Sequence, residues 1–195
     1  MQNVFSTQLK PGDFAVGSET AEYPPAPRRC PFKDCRKRVT LKKHGFYTRY
    51  LVTEEWHGRI RIRRYKCPKC GHTVSMLPFF CHPYFIIGFE LIVSLMRSAV
   101  KCGSVRKTAK AAAARGITRR HVRFYLGRLR QNRTLIDYGL RQISPGAASY
   151  DEPPGDTAWT RNLLLEMRPP LCPELNAGFH KETGVSFMST HKMIA

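Results

Sequence analysis

Carboxylates are scarce in this chain: its 195 residues hold 14 Asp+Glu against 33 Lys+Arg, a formal charge of +19. The imbalance argues against a neutral, densely packed enzyme and toward a polyanionic partner, most simply nucleic acid. Long apolar runs are nearly absent as well. The one candidate, Phe79 to Met96, contains His82, Pro83 and Glu90. A carboxylate near mid-span costs about 2.5–3.5 kcal/mol on insertion into a bilayer, so the run reads as a buried helix of a soluble protein. No cationic start followed by an apolar block opens the chain, and no internal repeat or phosphate-binding glycine loop is found. An even cysteine count is missing too. Cysteines stand at 30, 35, 67, 70, 81, 102 and 172, and seven argues against a fully paired disulfide framework. A reducing cytosol is the expected setting, where clustered cysteines point to metal.

The positive charge is concentrated in the middle. Residues 26–81 carry 15 basic and 3 acidic groups, and residues 82–141 carry 13 and 2, whereas both ends are weakly acidic. Four segments follow: a disordered lead-in at 1–27 ending in Tyr23-Pro-Pro-Ala-Pro27, a metal-held module at 28–81, a helical module at 82–141, and a Pro-rich linker and tail at 142–195. The fold class expected is α+β, a small antiparallel zinc ribbon followed by an all-α helix-turn-helix module.

Cys30 and Cys35 form a C-x4-C pair, and Cys67 and Cys70 a C-x2-C pair within Cys-Pro-Lys-Cys-Gly71. Zinc takes four thiolates in a tetrahedron, and each short loop can present two. A structural Zn2+ on these four residues is the leading reading. Iron takes the same ligand set, a redox dithiol at Cys67/Cys70 is a rival, and four unrelated buried thiols are the bland alternative. Between the pairs, Gly45 to Val52 is rich in β-formers. Arg59 to Tyr65 alternates, with Ile60 and Ile62 on one face and Arg59, Arg61 and Arg63 on the other. His72 to Ser75 adds a third strand. The arginine stripe suits phosphate contacts; as a bare solvated face it protects a strand edge.

In the helical module, Pro83 suits a first helical turn, and Phe85, Phe89, Ile92 and Met96 recur at helical spacing up to Gly103. Ser104 caps a second helix from Val105 to about Arg115, carrying Lys107 and Lys110 and small alanines. Gly116 breaks it, and Thr118 caps a third helix with Val122, Leu126 and Leu129 on one stripe. Helix, glycine turn and capped basic helix make a helix-turn-helix pattern. Its second helix enters the major groove N-terminal end first, so Arg119, Arg120 and Arg123 are base-edge or phosphate candidates, with Lys107 and Lys110 on the backbone. An ordinary helical hairpin with a solvated cationic face is the alternative. Phe124 and Tyr125 read as packing residues and His121 as exposed. Trp159 to Met167 reads as a short helix, with Trp159, Leu163 and Leu164 docking on the module.

The order Cys-Pro…Cys, His44-Gly-Phe-Tyr-Thr-Arg49, Ile60-Arg-Ile-Arg-Arg-Tyr-Lys-Cys-Pro-Lys-Cys-Gly71 and Thr73-Val-Ser-Met-Leu-Pro78 resembles the zinc ribbon at the start of bacterial insertion-sequence transposases. The helix-turn-helix continues the likeness over residues 28–135. It implies zinc at Cys30, Cys35, Cys67 and Cys70, binding of element-end double-stranded DNA, and a cytoplasmic, nucleoid-associated place. It allows a second copy of the chain or a transposase as protein partner. Strand transfer in most such enzymes uses three carboxylates and two metal ions on a separate domain. Only 54 residues follow Arg141, and prolines interrupt the stretch holding Asp151, Glu152, Asp156, Glu166, Glu174 and Glu182. The expectation is therefore a sequence-specific DNA-binding accessory or regulatory protein, not an enzyme and without small-molecule substrate. A small catalytic transposase or nuclease, or an RNA- or protein-binding ribbon, are the alternatives.

Overall fold

A computed structural model describes residues 1–143, 155–166 and 171–188. It is a mixed α+β structure that divides into two compact units, Met1–Gly88 and Phe89 onward.

The first unit is built on a four-stranded sheet in the order β1-β4-β3-β2: β1 Gln2–Phe5, β2 Lys42–Val52, β3 His57–Lys66 and β4 Thr73–Pro78. Strands β2 and β3 pair antiparallel from Lys42↔Lys66 to Val52↔His57, with an irregularity between Lys43 and Phe46, where Gly45 has φ +67°. Strand β4 pairs antiparallel with β3, Arg64 opposite Ser75. Ile60, Ile62 and Leu51 are fully buried, as the alternation predicts, and each contributes about 1.5–3 kcal/mol by leaving water.

Two expectations fail here. The lead-in at 1–27 is ordered, and the sheet is not purely antiparallel. Strand β1 pairs parallel with β4, Gln2 opposite Ser75, and helix α1 follows at Pro11–Gly17. Aromatic spacing is the cause. Phe5, Phe14 and Tyr23 converge, with ring centroids 5.4 Å (Phe5–Tyr23) and 5.9 Å (Phe14–Tyr23) apart, and Phe14 is wholly buried against Phe80. The prolines that suggested disorder lie in a pinned segment: Tyr65 Oη donates to the Pro24 carbonyl at 3.0 Å and Tyr23 Oη to the Arg61 carbonyl at 3.1 Å.

The boundary at 82 also moves. No helix starts at Pro83, because Tyr84 sits at φ +67° and residues 82–88 stay with the sheet. Arg49 donates to the carbonyls of His82 and Phe85, and the Gly88 N–H donates to the Val52 carbonyl.

In the second unit, α2 runs Phe89–Cys102, α3 Val105–Ala111 and α4 Arg119–Gln131, and these three pack on one another. Helix α2 buries Phe89, Ile92 and Met96 and ends at Gly103, φ +63°. Ser104 caps α3 by accepting the Lys107 N–H at 3.2 Å. Helix α5, Arg133–Ile143, follows directly. The expected linker at 144–149 lies outside the described residues, as do Asp151 and Glu152. The tail beyond it is not a bare appendage. Helix α6 spans Asp156–Arg161 and leads into a wider turn, Asn162–Glu166, while α7 spans Pro173–Thr183. Trp159, Leu163 and Leu164 are buried, as expected. Trp159 Nε1 donates to Asp137 at 2.8 Å, and Arg97 Nε donates to the Leu164 carbonyl at 2.8 Å. Helix α7 lies against α5 at Gly139, where an added Cβ would stand 2.3 Å from Phe179 Cε2.

Candidate metal centre and candidate nucleic-acid interface

Two loops in the first unit bring four sulfurs together. The Sγ atoms of Cys30, Cys35, Cys67 and Cys70 all lie within 4.8 Å of one another. The close pairs run between loops, Cys30–Cys70 at 3.6 Å and Cys35–Cys67 at 3.9 Å. A tetrahedron with metal–sulfur bonds of about 2.3 Å has sulfur–sulfur edges of about 3.8 Å. The donor set therefore fits a tetrahedral metal ion. Among the described residues this is the one group of three or more metal-ligating side chains that converges.

The loops differ in length but share an exit geometry. In the second, the Cys67 N–H donates to the His72 carbonyl, and Gly71 takes φ +74°. In the first, the Cys30 N–H donates to the Lys37 carbonyl, and Arg36 takes φ +43°. Both loops thus turn through a left-handed residue directly after their second cysteine. C-x4-C hides this equivalence because an arginine stands where glycine would be expected. Phe32 and His72 stack with centroids 4.3 Å apart, tying the loops together with a ring contact.

The thiols are tuned unequally. The Cys67 thiol is pulled down to about 7 because the backbone N–H of Cys70, and also that of Lys69, donates to its sulfur. Burial pushes Cys30 up to about 12, and its hydrogen bonds with the other three sulfurs add to this. Cys70 is also raised: the His72 N–H and Cys30 favour its thiolate, but burial together with Cys67 and Cys35 prevails. Cys67 is thus the thiol held most readily as thiolate, and burial favours the protonated forms of Cys30 and Cys70. A divalent cation overcomes that preference.

The sheet carries the arginine stripe, but its members are not equivalent. Arg59 is exposed and stands opposite Tyr50. Arg61 pairs with Glu19, and Arg63 lies 4.0 Å over the Phe46 ring and 5.6 Å over Tyr23. The ordered N-terminal segment thus engages two of the three.

No family model, curated protein or solved structure matches this chain. The helical surface rests on its geometry alone. Helix α4 buries Val122, Tyr125, Leu126 and Leu129, leaving its opposite side exposed. Gly116, at φ +71°, and buried Ile117 set the turn before it. Thr118 caps α4, and its N–H donates to His121 Nδ1 at 3.1 Å. His121 is thus a capping residue, a role the sequence reading missed because glutamate or glutamine normally fills that position. Lys107, Lys110, Arg119, Arg120 and Arg123 are all exposed. An open groove of about 670 Å³ is lined by Thr118, Arg119, Arg120, Arg123 and Phe124. Phe124, expected in the packing, is 43 % exposed.

Proposed function

We propose that the chain is a double-stranded-DNA-binding protein whose first unit is a zinc ribbon and whose α3–turn–α4 is a helix-turn-helix with α4 in the major groove. Zinc is held by Cys30, Cys35, Cys67 and Cys70 and is structural: all four positions belong to protein sulfur, which leaves none for a substrate. The ion fixes the two loops and neutralises thiolate charge that burial otherwise disfavours.

The observation that carries the DNA reading is the cationic set Lys107, Lys110, Arg119, Arg120 and Arg123. All five side chains are exposed, and no ion pair between them and a carboxylate occurs among the described residues. A cationic face kept merely for solubility is normally interspersed with acids; among the described residues none of these five is paired with one. Phosphate oxygens would supply the missing partners, and arginine at the start of α4 can read guanine O6/N7. Of the arginine stripe, Arg59 is exposed while Arg61 and Arg63 are engaged by the N-terminal segment, and Arg59 adds a phosphate contact.

In this reading the chain binds DNA and does not cut it. It is a transposase-related accessory or regulatory protein that acts with a second copy or with a transposase. Two of the tail acids have basic partners: Asp156 pairs with Arg133 at 3.2 Å and Glu166 with Arg161 at 3.2 Å. Selection of bound sequences from a random duplex pool, using zinc-loaded protein and structured RNA as competitor, tests the proposal. Recovery of one motif that RNA does not displace is expected. Preference for RNA, or magnesium-dependent strand cleavage, overturns it.

A further inference from the structure

Helix α4 turns one particular face to solvent. At 3.6 residues per turn, Arg120, Phe124, Gly127 and Gln131 fall on one line, opposite buried Val122 and Leu129. Two residues of this line bear on what α4 can meet. Phe124 keeps 43 % of its surface exposed, against Tyr125 on one side and beneath the Arg128 guanidinium 5.6 Å from its ring. Gly127 stands in the middle of the helix, where glycine weakens the element relative to alanine. An added Cβ there would meet nothing within 4 Å among the described residues. Neither packing nor a positive φ requires this glycine, in contrast to Gly139, which is crowded by Phe179. A small residue at the centre of an exposed face lets another molecule approach the helix backbone closely.

We infer that Gly127 and Phe124 determine sequence specificity: Gly127 lets the middle of α4 approach the floor of the major groove, and Phe124 reads a thymine there through its C5-methyl group. The inference rests on the duplex-DNA reading above. Among the base edges of the major groove, the thymine methyl is the apolar feature, and a phenylalanine side chain is a suitable partner for it. Arg120 and Arg123, one turn and one residue earlier, flank the ring with donors for a neighbouring guanine or phosphate. The recognised element is therefore a thymine beside a hydrogen-bonded purine, read by an apolar contact between cationic ones.

The experiment uses the zinc-loaded full chain and the duplexes recovered by selection. Each thymine is replaced in turn by deoxyuridine, which removes only the methyl group. One position is expected to lose about fourfold in affinity for the wild-type protein, the worth of one buried methyl-sized group. Phe124→Ala should show no loss from deoxyuridine at that same position. Gly127→Ala should melt at or above the wild-type temperature yet bind about tenfold more weakly, because the new methyl meets DNA and not protein. Wild-type affinity in Gly127→Ala, or an unchanged deoxyuridine profile in Phe124→Ala, overturns this inference while leaving duplex binding intact. Absence of duplex binding by the wild-type protein removes the reading beneath it, and with it the inference.

Discussion

Replacing Cys67 by serine tests the metal centre at its most ionised ligand. The four sulfurs already lie within 4.8 Å of one another, with Cys30–Cys70 at 3.6 Å and Cys35–Cys67 at 3.9 Å, close to the edges of a zinc tetrathiolate, so little reorganisation offsets binding. Structural zinc contributes about 10–16 kcal/mol in zinc-finger peptides; divided over four ligands, one thiolate is worth about 3 kcal/mol. For a unit of this size, about 1 kcal/mol moves the melting temperature by roughly 4–8 °C. Loss of one ligand should therefore lower the melting of the first unit by at least roughly 12–24 °C, and by more as the whole ion is released. Each unit holds one of the chain's two tryptophans, Trp56 and Trp159. A Trp159→Phe background makes Trp56 emission report the first unit alone. Cys102→Ser is the control, because Cys102 is exposed and outside the cluster. The expected result is one zinc per chain in the control and none in Cys67→Ser, with chelator lowering only the control's melting temperature. A full metal content in Cys67→Ser, or a melting curve indifferent to chelator in the control, refutes the reasoning.

Three further outcomes follow from the geometry. Gly139→Ala places a methyl 2.3 Å from Phe179 Cε2 and 2.9 Å from Thr183 Cγ2; it should destabilise the second unit by about 1–3 kcal/mol, read from Trp159 emission, without changing metal content. Arg36→Gly relieves a left-handed residue at φ +43° and should stabilise the first unit by about 1 kcal/mol, measured by thermal melting with one metal retained. Metal affinity should fall with acidification. The lowered Cys67 thiol loses its thiolate as pH falls through about 7, whereas Cys30 and Cys70, both raised, surrender protons only to a metal. Release of at least two protons on uptake makes the apparent affinity drop at least about 100-fold per pH unit, measurable by competition with a chromophoric chelator.

The sequence was most legible where periodicity and ligand spacing carry the information. The alternation of Arg59 to Tyr65 placed Ile60 and Ile62 inside, and the paired cysteines converge as their spacing suggested. Ser104 and Thr118 mark the starts of α3 and α4 as their chemistry implies, whereas α3 stops at Ala111, short of the expected Arg115, and Gly116 closes a separate 3-10 turn, Ala113–Arg115. The ends were harder, because long-range aromatic contacts leave no local pattern. Phe5, Phe14 and Tyr23 turn a polar segment into part of the core. Phe179 and Phe187 stack at 4.1 Å and bring the tail onto α5 and α2. As a result the first unit is supported by a larger core than 28–81 alone suggested, and the ion is not its sole support. At the candidate interface, the exposed arginines were legible as a basic helix, but the exposure of Phe124 depends on which neighbours fill the core. His121 was hidden because imidazole is an unusual capping acceptor.

The central claim is that the exposed cationic set grips phosphates of duplex DNA, and a salt titration tests it most directly. Affinity for the selected duplex should fall linearly in log–log form, each phosphate contact contributing about 0.9 to the slope. Lys107, Lys110 and Arg119 are exposed, so replacing all three by glutamine leaves the fold intact and should flatten the slope by about 2.7. Between 50 and 200 mM salt the variant should then lose about 40-fold less affinity than wild type. Equal slopes for the two proteins, or a wild-type affinity indifferent to salt, would contradict the account.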